Sequence, residues 1–306
     1  MTANNRISWS LRWLVSAGLL AWILTRPEVA RLGTEFWRMN PVWVLGGLTC
    51  AGLAQWLGAW RWQACLQALG MDVPLVRVFK VSLVATVAGC FSFGALGTDL
   101  ARVLMAGRHW PGHRGGILSS LVLDHASAVP CVVVMVGAAL LAHGVVPAMK
   151  IPGVWVMLGV VGFMVAVTGI FTWKFRRLQL EILRVLADRA TWRGFGIAVW
   201  RSVPMWLAYC GVFYCAARAF GVVVPVAGFA GVIAIADGVA SLPITVAGLG
   251  VREQAFQTLL GSWYGVPPAS SVALSLTGFS LSLVWAAAGA VCMGGAVVKS
   301  EATVIP

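Results

Sequence analysis

The chain has 306 residues, 60% of them hydrophobic and only 10% charged, with a mean hydropathy of +0.88 and a formal net charge of +12. Soluble domains carry roughly 25% charged residues, so an ordinary soluble fold is excluded, and no polar stretch is long enough for a separate soluble domain. The positive charge would suggest nucleic acid in a soluble protein, but in a membrane chain it belongs to loops that face anionic headgroups on the cytoplasmic side. No nucleic-acid partner is expected.

In chain order, apolar runs of helix length fall near 7–24, 41–60, 75–97, 116–142, 152–173, 198–220, 226–246 and 268–297. About 20 apolar residues cross a bilayer as a helix. The first run follows a positive start without a small-residue cleavage pattern and reads as a retained span. The segment 173–194 carries Lys174, Arg176, Arg177, Arg184, Arg189 and Arg193, which assigns it to the cytoplasm as a surface helix. Counting outward, 61–80 and 101–115 are both cytoplasmic, so 81–97 enters and leaves by the same face. Its glycines at 89, 94 and 97 suit a broken, re-entrant hairpin. The stretch "LPITVAGLG" predicts a second hairpin dipping in from the other face. The seven cysteines have no C-x-x-C spacing and read as small packing residues. Tryptophans near run ends, Trp60 and Trp62 among them, read as interfacial belts, and Arg201 and Arg218 as interfacial anchors.

These elements predict an all-α, polytopic membrane helix bundle with about six crossings, two re-entrant broken helices and both termini cytoplasmic. It forms a single membrane domain over 1–306 with halves of about 7–146 and 152–298. A shift of 151 residues superposes the halves: Gly70 meets Gly221, Pro74 meets Pro225, Ala85 meets Ala236, Gly97 meets Gly248, and "SSLVL" meets "SSVAL". Because the charge bias orients the two hairpins oppositely, the expected relation is an inverted-topology repeat, an architecture used for alternating access.

Each half carries a glycine break followed by an arginine beside an acid. In "ALGTDLAR" these are Gly97, Asp99 and Arg102; in "LPITVAGLGVRE" they are Pro243, Gly248, Gly250, Arg252 and Glu253. A helix start attracts anions, and arginine adds a bidentate fork for phosphate. Asp99, Arg102, Arg252 and Glu253 are therefore expected at a lipid headgroup, with Gly97, Pro243, Gly248 and Gly250 forming the broken-helix cavity wall. Asp124, His125 and Asp237 lie deep in apolar runs and are candidates for proton coupling. Asp124 is also a candidate partner for Arg102. His109 and His113 flank Pro111-Gly112 without a third ligand, so no metal site is expected, and no nucleotide or cofactor motif is present.

The motifs "RWQACLQALG", "LGTDLAR", "SSLVLDH", "LPITVAGLGVREQAF" and "GVPPASSVALSL" resemble those of the lysylphosphatidylglycerol synthase transmembrane-region family, or flippase-like proteins. The resemblance covers roughly 10–298 and departs from the family pattern at Thr98, His125 and Ala247. It implies an inner-membrane protein that moves phospholipid or glycolipid headgroups between leaflets. The soluble aminoacyl transferase domain of fused members has no counterpart in this chain, so lysine transfer is not expected. The alternatives are a membrane enzyme acting on a lipid-linked substrate and an accessory scaffold for a lipid-synthesis enzyme. Membrane lipids are the expected partners.

Overall fold

A computed structural model describes residues 39–90, 95–110, 114–143, 189–241 and 245–301. The apolar runs at 7–24 and 152–173, most of the basic segment 173–194, and Pro243 lie outside them. The described residues form eight helices: α1 (Pro41–Ala68), α2 (Leu75–Cys90), α3 (Ala95–His109), α4 (Arg114–Ala142), α5 (Arg189–Ala219), α6 (Val226–Ala240), α7 (Val251–Tyr264) and α8 (Pro268–Glu301). Three stretches, Pro41–Ala68, Gly115–Ala142 and Pro268–Gly289, are long and apolar enough to cross a membrane. The protein is a polytopic helical membrane protein.

Boundaries differ from the sequence reading in two places. The cytoplasmic segment 101–115 is helical as far as His109, and the apolar run expected from 198 is already helical at Arg189, the start of α5. In both places the backbone hydrogen bonds of the helix continue beyond the last apolar residue. Charge marks where a chain meets polar surroundings, not where its helix stops.

The starts and stops follow local chemistry. Asn40 accepts the Val42 amide on its side chain at 3.0 Å, and Pro41 occupies the first helical position, where its missing N–H costs nothing. Helix α1 ends at Gly70 (φ 74°), with the Met71 amide bonded to the Leu66 carbonyl at 3.0 Å. Helix α5 ends in the same way at Gly221 (φ 72°), with Val222 bonded to Ala217 at 2.9 Å. Both closures need a left-handed residue, which glycine adopts at no steric cost.

Helices α1 and α5 form the central pair. Their contacts pair Asn40 with Ala219, Cys50 with Gly211, Trp60 with Arg201, and Ala68 with Gly194. One index falls as the other rises, so the helices run antiparallel. Small residues set the approach: a Cβ on Gly194 would lie 2.3 Å from the Ala68 Cβ, and one on Gly47 would lie 3.3 Å from the Cys215 Cβ. Around this pair, α2 packs on α8 and α6 packs on α4, while α1 and α5 each touch both α4 and α8. Helices α2–α3 and α6–α7 are hairpins. Exchanging α1–α4 with α5–α8 returns the same set of packed pairs. The register sets Gln55 opposite Trp206, themselves 151 residues apart, so a local two-fold passes between them.

Trp62 is not part of an interfacial belt. It is 1% exposed, and its indole N–H donates to Ser120 Oγ at 2.9 Å, which makes burial of the ring inexpensive. Arg201 lies within α5, donating to the Trp60 carbonyl at 2.7 Å with its guanidinium over the Trp60 ring. It anchors helix to helix.

Antiparallel pairing of α1 and α5 predicts a specific disulfide. A Cβ built on Gly211 lies 3.5 Å from the Cys50 Cβ, at the edge of the range a disulfide spans. With Cys215 replaced by Ala to remove the neighbouring thiol, Gly211→Cys should form a reducible link to Cys50 under mild oxidation. Peptide mass mapping reads the link, whereas parallel helices would leave both thiols free.

Candidate functional site

Five side chains from α1, α3 and α4 form an unbroken chain of charge. Arg61 holds Asp124 in a bidentate grip, Nε to Oδ1 at 2.7 Å and Nη2 to Oδ2 at 3.0 Å. Arg102 Nη1 lies 3.5 Å from Asp124 Oδ2 and 3.7 Å from Asp99 Oδ1. His125 Nε2 lies 2.6 Å from Asp99 Oδ2. The Arg102 guanidinium also sits 5.0 Å above the Trp62 ring, a favourable cation–π placement. The order is Arg61, Asp124, Arg102, Asp99, His125.

Burial grades along this chain. The Asp124 side chain is 1% exposed, whereas that of His125 is 57% exposed. Asp124 is thus held as a counter-ion to two arginines, and His125 is the member that other molecules can reach. Two donors at the buried end, Arg61 Nη1 and Arg102 Nε, have no hydrogen-bond partner among the described residues. The Arg102–carboxylate distances exceed those of direct hydrogen bonds. The cluster therefore keeps buried donor capacity that an entering anion could use.

The second cluster comes from α5, α6, α7 and α8. Arg252 Nε lies 3.5 Å from Asp237 Oδ1, its guanidinium is 5.1 Å from the Phe279 ring centroid, and Tyr209 lies near Asp237. The break ahead of α7 turns on left-handed backbone at Ala247 (φ 52°), Gly248 (φ 75°) and Gly250 (φ 85°). At Gly248 a side chain would also collide with Ala240, whose Cβ is 2.6 Å from the would-be Cβ. This brings the start of α7 and Arg252 against the end of α6.

The clusters lie on opposite sides of the local two-fold. Arg61 is six residues beyond Gln55 on α1, about 9 Å along the axis. Tyr209 is three residues beyond Trp206 on α5, about 4–5 Å in the other direction, because the helices are antiparallel.

Two expected site residues take other roles. Glu253 is fully buried: Oε2 accepts the Gly250 amide at 2.6 Å and Oε1 accepts the Ser275 hydroxyl at 3.0 Å. Its carboxylate caps α7 and ties it to α8, leaving no face for a headgroup, so that expectation is corrected. Gly97 is not the break in the first hairpin. It is buried in the first turn of α3, which begins at Ala95. Asp99 and Arg102 therefore sit within the helix one turn apart, not at its open start. The structure brings Asp99, Arg102, Asp124 and His125 together, and separately Asp237 and Arg252.

Arg61 and Tyr209 were not legible as site residues. Arg61 lies 63 positions from Asp124 in the chain and stands beside Trp60 and Trp62, which mimics an interfacial anchor. The available signal was the unpaired acid: a buried Asp in an apolar run requires a cation, and Arg61 is the basic residue within α1.

The grading of burial sets a stability order. Asp124→Asn leaves Arg61 buried without its counter-ion and should cost about 3–5 kcal/mol. Asp237→Asn, at a 26% exposed side chain, should cost no more than about 1 kcal/mol. Thermal unfolding in detergent should rank Asp124→Asn well below Asp237→Asn, and the paired change Arg61→Met with Asp124→Leu should recover most of the loss.

The family model for the lysylphosphatidylglycerol synthase TM region matches residues 9–289. Among curated proteins, no relative matches the chain. With the all-helical membrane architecture and a match over nearly its whole length, this chain belongs to the lysylphosphatidylglycerol synthase TM region family.

Proposed function

We propose that the protein transfers lipid between the leaflets of the bacterial inner membrane. A phospholipid or glycolipid headgroup would move through the polar interior while the tails stay in the bilayer. One observation carries this reading: two arginine–aspartate clusters, the first buried around Asp124 and the second partly buried, lie on opposite sides of a local two-fold, each built on a helix hairpin. Family membership supports a role in lipid metabolism or transport. The antiparallel pairing of α1 and α5, 151 residues apart in the chain, supports an inverted repeat with re-entrant hairpins. With both termini cytoplasmic, the Arg102 cluster faces the inner leaflet and the Arg252 cluster the outer.

In this scheme Arg102 and Arg61 accept the phosphate with their free buried donors, and Arg252 receives it on the other side. Asp99, Asp124 and Asp237 hold the arginines in place and keep each empty cluster nearly neutral, which limits the cost of burying charge. The exposed His125 beside Asp99 is the candidate point of proton entry. The chain carries no nucleotide-binding motif, so movement is passive or coupled to protons or membrane potential.

Transfer is read in proteoliposomes by the loss of a fluorescent phospholipid signal to a membrane-impermeant quencher. The wild type should accelerate transfer over empty vesicles. Arg102→Ala and Arg252→Ala each remove a charge-assisted contact of about 1.5–3 kcal/mol, so each should slow transfer roughly 10- to 100-fold in a folded protein. Full activity in both variants would exclude the headgroup role.

A further inference from the structure

An apolar cavity of about 680 Å³ opens between α4, α5 and α6, walled by Val134, Val203, Leu207, Cys210, Phe229 and Ala230 among others. Its volume falls within the usual range for small-molecule sites. Its rim faces outward, with Val134 62% and Leu207 69% exposed. The local two-fold relates this place to one between α8, α1 and α2, where aromatic rings occupy the corresponding space. The position 151 residues after Val134 is Trp285, whose ring covers Gly52: a Cβ there would lie 2.1 Å from it. The Trp285 indole N–H is fixed on the Leu48 carbonyl at 2.9 Å. Likewise Leu207 corresponds to Trp56 and Ala230 to Phe79, and those two rings pack edge to face at 4.9 Å. At these three positions a large ring stands on the filled side and a smaller residue on the open side.

The open groove runs past the second polar cluster. Asp237 lies seven residues after Ala230, two helical turns along the same stripe of α6. Trp206, on the groove wall, packs edge-on against Tyr209 at 5.5 Å. An apolar trough beside an arginine, a carboxylate and a phenol is the complement of an amphiphile. A soluble ligand would leave either the apolar wall or the charges unmatched.

We propose that this groove seats one fatty acyl chain of a phospholipid whose headgroup lies at Arg252 and Asp237, and that the two-fold-related position is closed to acyl chains by Trp285. Tail recognition is then one-sided although headgroup clusters exist on both sides. The inference rests on the lipid-transfer reading for the identity of the ligand, but not on transfer itself.

The test uses the full chain in vesicles of phosphatidylethanolamine and phosphatidylglycerol, doped with phosphatidylglycerol carrying a photoactivatable diazirine in one acyl chain. Adducts are mapped by mass spectrometry. Adducts should concentrate on Met135, Leu207 and Cys210 over the generally lipid-exposed Trp200 and Leu45. Val134→Trp, which copies the natural plug, should abolish the groove adducts and leave those at Trp200 unchanged. Trp285→Val should create new adducts around Gly52 and Trp56. Leu207→Trp fills the groove from its exposed wall and serves if Val134→Trp does not fold. Adducts spread evenly and indifferent to the plug would overturn the proposal. So would a photo-crosslinker at Leu207 that captures residues 152–173 of the same chain in place of lipid. Groove labelling without leaflet transfer would retain the acyl site and remove the transport reading, while transfer without groove labelling would do the reverse.

Discussion

The close antiparallel contact of α1 with α5 is the constraint on which the rest of the architecture depends. Between lipid-immersed helices there is no hydrophobic gain from association, so close van der Waals approach carries the contact. Gly47, Gly194 and Gly211 permit it: a Cβ on Gly194 would lie 2.3 Å from the Ala68 Cβ, and those on Gly47 and Gly211 would lie 3.3 Å from the Cys215 Cβ and 2.9 Å from the Cys50 Sγ. Once these helices lie side by side with Gln55 opposite Trp206, the position of every other element follows in pairs. Each short hairpin packs its first helix against the long helix that ends the other half. The halves are interlocked, while each keeps its own charged cluster.

That interlocking determines where charge can be buried. Arg61 on α1 reaches Asp124 on α4, and Asp124 in turn steadies Arg102 on α3. The residues 151 positions after Arg102 and Asp124 are Glu253 and Ser275, and these also meet, at 3.0 Å. One location in the repeated architecture thus has two chemical solutions. In the first half it is an ion pair with spare donors; in the second it is a helix cap with every carboxylate oxygen engaged. The second half places its arginine one residue earlier, at Arg252, and supplies Asp237 from the preceding helix. A buried carboxylate bonded on both oxygens serves structure. An arginine held at 3.5 Å from its acid, with a buried unpartnered nitrogen as in Arg102, retains capacity for a ligand.

Much of this was legible in the sequence. Helical membrane architecture follows from composition, and the paired left-handed glycines at 70 and 221 fall at the offset seen in "LGMDVP" and "FGVVVP". Asp99 with Arg102, and the break before Arg252, were readable because their partners are close in the chain. What failed to read depended on distant partners. Glu253 looks like a ligand-binding acid until Ser275 and the Gly250 amide are seen to occupy it. Trp62 looks interfacial until Ser120 accepts its N–H. Arg61 looks like part of the cytoplasmic segment 61–80 until it is found within α1, paired with Asp124. In each case local pattern locates the residue, and a contact across helices decides its role.

On the proposed reading, the arginines of the two clusters hold the headgroup of a lipid. Native mass spectrometry of the gently purified protein, beside its Arg102→Ala and Arg252→Ala variants, tests it most directly. The wild type should carry one dominant co-purifying anionic lipid, lost from either variant. Equal and heterogeneous lipid in all three would mean that the arginines only hold the fold together, and would contradict it.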